Sequence, residues 1–306
     1  MERQVKRIVH LLLSKRFRNV GGGLLAILLI AAVLFAYFVD DRSMKEVMGD
    51  LRAQKSDTSS PSMRQIPKGF EITQIDADRS SWTWSKAKSH AVDVWQAQLG
   101  SSDTLSSFYC GCNITRRGKS GGEVDFESCG YRSRGNLTRA QRLEWEHVVP
   151  AAFIGQGRSC WQTGAAQCVD SSGKPFKGRS CCMIADPSFA MAANDPVNLV
   201  PAVGEVNADR SNYAFGMIEG ESRNYGMCDM EVDSTQRLSE PPADRRGDIA
   251  RIYAYMSKAY GLPLSREQAE LYTQWIAQDP VSAQEVRINR SIRATGHRAN
   301  PFVLSP

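Results

Sequence analysis

All eight cysteines (Cys110, Cys112, Cys129, Cys160, Cys168, Cys181, Cys182 and Cys228) lie downstream of residue 100 in a chain of 306. That placement constrains the fold more than any other feature. An even count in Gly-rich, loop-like sequence fits structural disulfides in an exported domain. The rival is a zinc site, and the spacing opposes it. Cys110-Gly-Cys112 lacks the usual gap between ligands, and the adjacent Cys181 and Cys182 cannot easily chelate one tetrahedral ion together. Disulfides are therefore expected for all eight, with the pairing left open.

Export also follows from the N-terminus. Val20 to Val39 is an apolar run whose only polar side-chain group is the Tyr37 hydroxyl. As a helix it is about 30 Å long, the thickness of a bilayer's hydrocarbon core. Six basic residues precede it and Asp40-Asp41 follows, which predicts a cytoplasmic segment at 1–19 and a signal anchor at 20–39. A cleaved signal, leaving a secreted product, is the alternative, although no A-x-A-like site stands near Val39. Residues 40–82 are polar, with a Ser-rich stretch at 56–62 and prolines at 61 and 67. They read as a tether, leaving 83–306 as the folded domain.

Within that domain a helix is expected from Ser85 to about Gln98, with Ala87, Ala91, Val94 and Trp95 at helical spacing. Gly and Ser dominate up to residue 136, predicting loops and short strands. The last third is helical. One helix starts at Asp248 with Ile249, Ile252, Tyr253, Met256 and Tyr260 on a face, stopped by Gly261 and Pro263. Ser265-x-x-Gln268 and Ser282-x-x-Glu285 are capping boxes that open two more. The last carries Arg287, Arg290 and Arg293 on a shared face, which reads as a solvated stripe or as a nucleic-acid contact. The expected class is α+β, mainly helical with a small irregular β component.

The net charge is +5, but residues 1–40 hold six basic groups against Glu2 and Asp40. The rest of the chain is close to neutral, so global basicity does not drive binding to an anionic partner. Between Cys110 and Cys182, however, eleven Lys and Arg face six acids. This local excess coincides with the residues that carry chemistry.

Those residues lie in Arg142-Leu-Glu-Trp-Glu-His-Val-Val-Pro-Ala151 and, further on, Asn198-Leu-Val-Pro-Ala-Val-Gly-Glu-Val-Asn207-Ala-Asp-Arg210-Ser-Asn212-Tyr213. A histidine titrating near neutrality suits proton abstraction from water, and oxygen donors suit a hard divalent cation beside phosphate. Both segments resemble the endonuclease I family of bacterial periplasmic and secreted nucleases, which use the His-Me finger (ββα-metal) site. Phe108-Tyr-Cys-Gly-Cys112, Ser128-Cys-Gly-Tyr131, Gln156-Gly-Arg-Ser-Cys-Trp161, Tyr225-Gly-Met-Cys228 and Ile249-Ala-Arg-Ile-Tyr-Ala-Tyr-Met256 carry the likeness over some 220 residues, from about 83 to 303. The resemblance implies His147 as general base and Glu146 and Asn198 as ligands of one Mg²⁺, Mn²⁺ or Ca²⁺ ion. It further implies a largely sequence-nonspecific phosphodiester hydrolase of DNA, with RNA a second substrate class, that leaves 5′-phosphate ends.

A monomer is expected, with no obligate protein partner, attached to the inner membrane through residues 20–39 and facing the periplasm, or secreted if that segment is removed. Neighbouring residues on a strand face opposite ways, so Glu146 and His147 can serve one site only at a bulge or a strand end, which Pro150 suggests.

Two departures from the family pattern stand out. A Gly-Gly-Arg-like turn, whose arginine clamps phosphate, reads here Gly164-Ala165-Ala166-Gln167; Arg158, Arg179 and Arg210 are the candidates to replace it. Pro196 stands two residues before Asn198, where the family usually continues a helix; it either kinks that helix or starts a new turn capped by Asp195. A membrane-tethered nucleic-acid-binding protein with weak catalysis is the alternative reading that these departures motivate.

Overall fold

The structure, a computed structural model, describes residues 74–97, 104–220 and 222–303. The expected span at 20–39, the basic segment before it and most of the expected tether lie outside them. Among the described residues no helix is long and apolar enough to cross a membrane.

The expected tether does not reach residue 82. Helix α1 (Gln74–Asp78) and a 3₁₀ turn at Arg79–Ser81 form part of the fold. The polar composition that suggested a linker hides Asp76 and Arg79, both fully buried and paired with each other. A charged residue that finds an internal partner leaves no hydrophobic signature in sequence.

Helix α2 (Trp84–Gln96) follows, capped by the Thr83 hydroxyl, which accepts from the Lys86 N–H at 3.2 Å. Its buried face carries the expected Ala87, Ala91, Val94 and Trp95. The Trp95 indole donates to the Leu199 carbonyl at 3.0 Å, tying α2 to the strand that borders the site.

The Gly- and Ser-rich region forms a small antiparallel sheet of β1 (Thr104–Ser106), β2 (Asn113–Arg117) and β3 (Gly121–Val124), in that order. A short helix α3 (Leu137–Ala140) leads into β4 (Leu143–His147). Helices α4 (Ala151–Gly155), α5 (Ser159–Gln162), α6 (Arg179–Ala185) and α7 (Pro187–Ala193) intervene before β5 (Leu199–Val203).

Strands β4 and β5 pair antiparallel, Leu143 opposite Val203 and His147 opposite Leu199. Helix α8 (Gly204–Arg210) follows β5 directly and completes a ββα unit. Its first residue must be glycine, because a Cβ at Gly204 would lie 2.4 Å from the Arg139 carbonyl oxygen.

A second three-stranded sheet comprises β6 (Ala214–Phe215), β7 (Glu231–Asp233) and β8 (Leu238–Glu240). The C-terminal helices α9 (Arg246–Tyr260), α10 (Arg266–Gln278) and α11 (Ala283–Ala294) then pack as the sequence predicts. Gly261 ends α9 in the left-handed conformation, and both expected capping boxes form. Helix α9 begins two residues earlier than Asp248. Arg251 on α9 grips Glu285 on α11 with two nitrogens, at 2.7 and 2.6 Å. The stripe of Arg287, Arg290 and Arg293 is exposed.

All eight cysteines are disulfide-bonded: Cys110–Cys228, Cys112–Cys129, Cys160–Cys182 and Cys168–Cys181. The class is mixed α+β, as expected.

Candidate active site

The site grows from the β4–β5 ribbon. Glu146 lies opposite Val200, and Asn198, the last residue of the turn that enters β5, accepts the Val148 N–H on its carbonyl at 3.1 Å, so both stand at the same end of the ribbon. The Asn198 amide is locked in orientation: Oδ1 accepts the Val149 N–H at 2.7 Å and Nδ2 donates to the Val149 carbonyl at 2.9 Å. A carbonyl oxygen has two lone pairs, so Oδ1 keeps one for a cation.

The Glu146 hydrogen bonds converge on Oε1, from Arg210 Nη1 at 2.7 Å and the Tyr109 hydroxyl at 3.5 Å, which leaves Oε2 for a ligand. Burial pushes the Glu146 carboxyl up to about 7, against the opposing pull of Arg210. A hard cation would favour its ionised form. Among the described residues no three His, Cys, Asp or Glu side chains cluster as a metal site. An ion here would rest on Glu146, Asn198 and water, and these oxygen donors fit one of the hard type.

Strand β4 ends at His147, as the chemistry demanded, and the chain turns through Val148 and Pro150 into α4. The ring nitrogen Nε2 lies 2.7 Å from the Ala193 carbonyl oxygen. A carbonyl only accepts, so Nε2 carries the proton and Nδ1 is the basic nitrogen. Trp84 stacks on the ring, with centroids 4.9 Å apart. Burial, then the nearby charges of Arg179 and Arg210, pull the imidazole down to about 3 even though the Ala193 bond opposes them. It is neutral at ordinary pH.

The three candidate arginines separate. Arg210 is fully buried; besides Glu146 it donates to the carbonyls of His147 at 2.9 Å and Val148 at 2.6 Å. It holds the strand end together and is not exposed to a phosphate, contrary to expectation. Arg158 donates to the Ile154 carbonyl, to Asp186 at 2.6 Å and to Ser188 at 2.6 Å. It braces α4 against α7, an acid neighbour 28 residues away that sequence did not reveal. Arg179 is exposed, with its guanidinium carbon 4.7 Å from the centre of the Trp84 ring that stacks on His147.

Helix α7 ends at Ala193, and Asp195 caps a separate 3₁₀ turn with Pro196 as its first residue. Pro196 therefore starts the turn that carries Asn198 rather than distorting a helix.

The Endonuclease I family model matches residues 83–306. The chain belongs to the endonuclease I family. Among similar proteins, a periplasmic deoxyribonuclease of Aeromonas hydrophila is 43% identical over 222 residues, covering 72% of this chain and 85% of the relative. An extracellular deoxyribonuclease of the same species is 43% identical over 198 residues, 64% of this chain and 80% of the relative. Endonuclease-1 of Buchnera aphidicola subsp. Acyrthosiphon pisum is 41% identical over 197 residues, 64% and 73% respectively.

Against this endonuclease I background, sequence reasoning missed Trp84, Tyr109 and the Ala193 carbonyl. Tyr109 sits in a segment that carried the family likeness, yet no role followed from it. Trp84 lies just before the helix expected at Ser85, where an aromatic gives no hint that it meets a residue 63 positions on. A main-chain carbonyl has no sequence signal at all.

Proposed function

We propose that this chain is a metal-dependent, largely sequence-nonspecific endonuclease that hydrolyses DNA to 5′-phosphate ends and works outside the cytoplasm. Relatives named deoxyribonuclease, periplasmic or extracellular, support the substrate and the setting, and four disulfides fit an oxidising compartment. The observation that carries the mechanism is the His147 tautomer fixed by Ala193.

His147 Nδ1 is the group that takes the proton from the attacking water. Its neutral state keeps that nitrogen ready, and the Ala193 carbonyl then stabilises the imidazolium that forms. Trp84 holds the ring plane. Glu146 and Asn198 would hold one divalent ion, Mg²⁺ or a similar cation. When bound, that ion supplies charge neutralisation at the scissile phosphate and the departing oxygen.

Arg179 takes the part of the arginine missing at Ala166, meeting a phosphate oxygen with its planar guanidinium. A site that grips phosphates reads no base edges, which accounts for nonspecific cutting, and RNA is a candidate second substrate on the same ground.

Plasmid nicking by the oxidised protein, with and without a chelator and with Mg²⁺, Mn²⁺ or Ca²⁺ restored, tests the reading. Cleavage that a chelator abolishes and a divalent ion restores is expected. Cleavage unaffected by the chelator would overturn the metal assignment. DNA binding with no cleavage under any ion would favour the weakly catalytic binder.

A further inference from the structure

The strip between α7 and β5 carries two parts of the site. Ala193 gives the carbonyl that fixes His147, and Asn198 is the proposed cation ligand. The two residues after Ala193 reach away from the site. The Asn194 amide donates to the carbonyls of Arg79 at 3.0 Å and Trp82 at 3.1 Å. The Asp195 carboxylate divides its oxygens: Oδ1 accepts the Val197 N–H at 2.9 Å and so caps the Pro196–Asn198 turn. Oδ2 receives Arg79 Nη2 at 3.0 Å, the Tyr255 hydroxyl at 2.7 Å and the Tyr260 hydroxyl. Asn194, Asp195 and Arg79 are all at most 1% exposed. With Oδ2 saturated by donors, Oδ1 has one orientation available, which sets the turn that presents Asn198.

We propose that Arg79 is a positioning residue of the active site: its guanidinium acts through Asp195 on Asn198, and by anchoring the 79–82 backbone it holds in place the two carbonyls that clamp Asn194, next to the Ala193–His147 pair. Arg79 stands upstream of residues 83–306, where the family match begins. The brace is therefore made by the segment that leads into the matched residues. The same segment leads into Trp84, which stacks on His147, so both halves of the site lean on residues 79–84. Removing the guanidinium leaves the buried carboxylates of Asp76 and Asp195 without their cation, and water, which carries no charge, does not restore the fixed geometry. Partners that orient a metal ligand typically change metal affinity ten- to a hundred-fold. The inference rests on the proposed role of Asn198, and its test has an arm that does not.

The experiment uses the full chain and two readouts: the Mn²⁺ Kd from electron paramagnetic resonance of the free ion, and ¹⁵N magnetic resonance of the His147 ring in metal-free protein. Circular dichroism first selects a temperature at which each variant is folded. Arg79→Ala should raise the Mn²⁺ Kd about tenfold or more, with partial recovery on adding guanidinium ion, and should mix the His147 tautomers. If Arg79→Ala does not fold, Arg79→Lys decides: one ammonium cannot span Asp76, Asp195 and Tyr260, so a rise of at least about threefold is expected, toward the scale above. A folded variant with a Kd within twofold of wild type and an unchanged Nε2–H tautomer overturns the inference. If wild-type protein binds no Mn²⁺, the cation reading fails by itself, and the His147 signature alone decides the role of Arg79.

Discussion

Glu205 offers a test of how the ββα unit is held. It is buried on α8 and accepts five hydrogen bonds from the segment before α3: the Tyr131 hydroxyl at 2.7 Å, the Ser133 hydroxyl at 3.1 Å, and the N–H groups of Arg134 at 3.1 Å, Gly135 at 2.9 Å and Asn136 at 2.6 Å. Although burial opposes ionisation, the donors together hold the carboxyl at about 2. A depressed carboxyl contributes stability that is present above its unfolded pKa, near 4.3, and lost as pH falls through the folded value. The displacement from ordinary Glu corresponds to about 3 kcal/mol at pH 7, about half of that at pH 3 and little at pH 2. Glu205→Gln keeps the shape, removes the charge and points an amide N–H₂ at a backbone donor. Urea unfolding of both proteins, disulfides intact, at pH 7 and pH 3 reads the difference. A gap of about 3 kcal/mol at pH 7 that halves at pH 3 is expected. A gap equal at both pH values would show that the cradle stabilises by shape rather than by charge, and the reasoning would be wrong.

Other expectations are simpler to state. His147→Ala should remain folded and lose hydrolysis by roughly two to four orders of magnitude, read by plasmid nicking; wild-type turnover in a folded variant would remove the general base. Arg179→Ala should lower kcat at least about tenfold with a small change in KM, as loss of a contact made while charge builds on phosphate, whereas Arg158→Ala should change kcat less than about twofold; the reverse pattern in steady-state kinetics on a short duplex would move the phosphate contact to Arg158. Thiol titration of unfolded, unreduced protein should find no reactive thiol, and reduction should lower the melting temperature sharply, since each bridge contributes about 2–4 kcal/mol; free thiols would contradict the disulfide assignment.

What sequence revealed and what it hid divide along chain distance. The C-terminal helices were legible because Gly261, Ser265 and Ser282 act within four residues of themselves. Cysteine usage was legible as chemistry, but pairing required the fold. The segments around Glu146, His147 and Asn198 carried the family likeness from which their proposed roles come, and the strand end at His147 could be inferred from Pro150. The arginines were not separable. Nothing local distinguishes Arg210, buried and meeting Glu146 across 64 residues, from Arg179, which is exposed beside Trp84. Arg79 was the most hidden of all. A polar stretch read as a tether because its two buried charges cancel each other inside the fold, where neither periodicity nor hydropathy registers them.

The bridge from Cys110 to Cys228 closes a covalent ring around most of the proposed site, including Glu146, His147, Arg179, Asn198 and Arg210. Inside it, Cys160–Cys182 encloses Cys168–Cys181, so the exposed Asp170–Lys174 turn sits within three concentric rings. A protease that cuts once anywhere between residues 110 and 228 therefore releases no fragment. The two ends stay joined through sulfur, and the severed strands remain at high effective concentration beside their partners. For a nuclease with an extracytoplasmic setting, a nicked molecule is still one molecule.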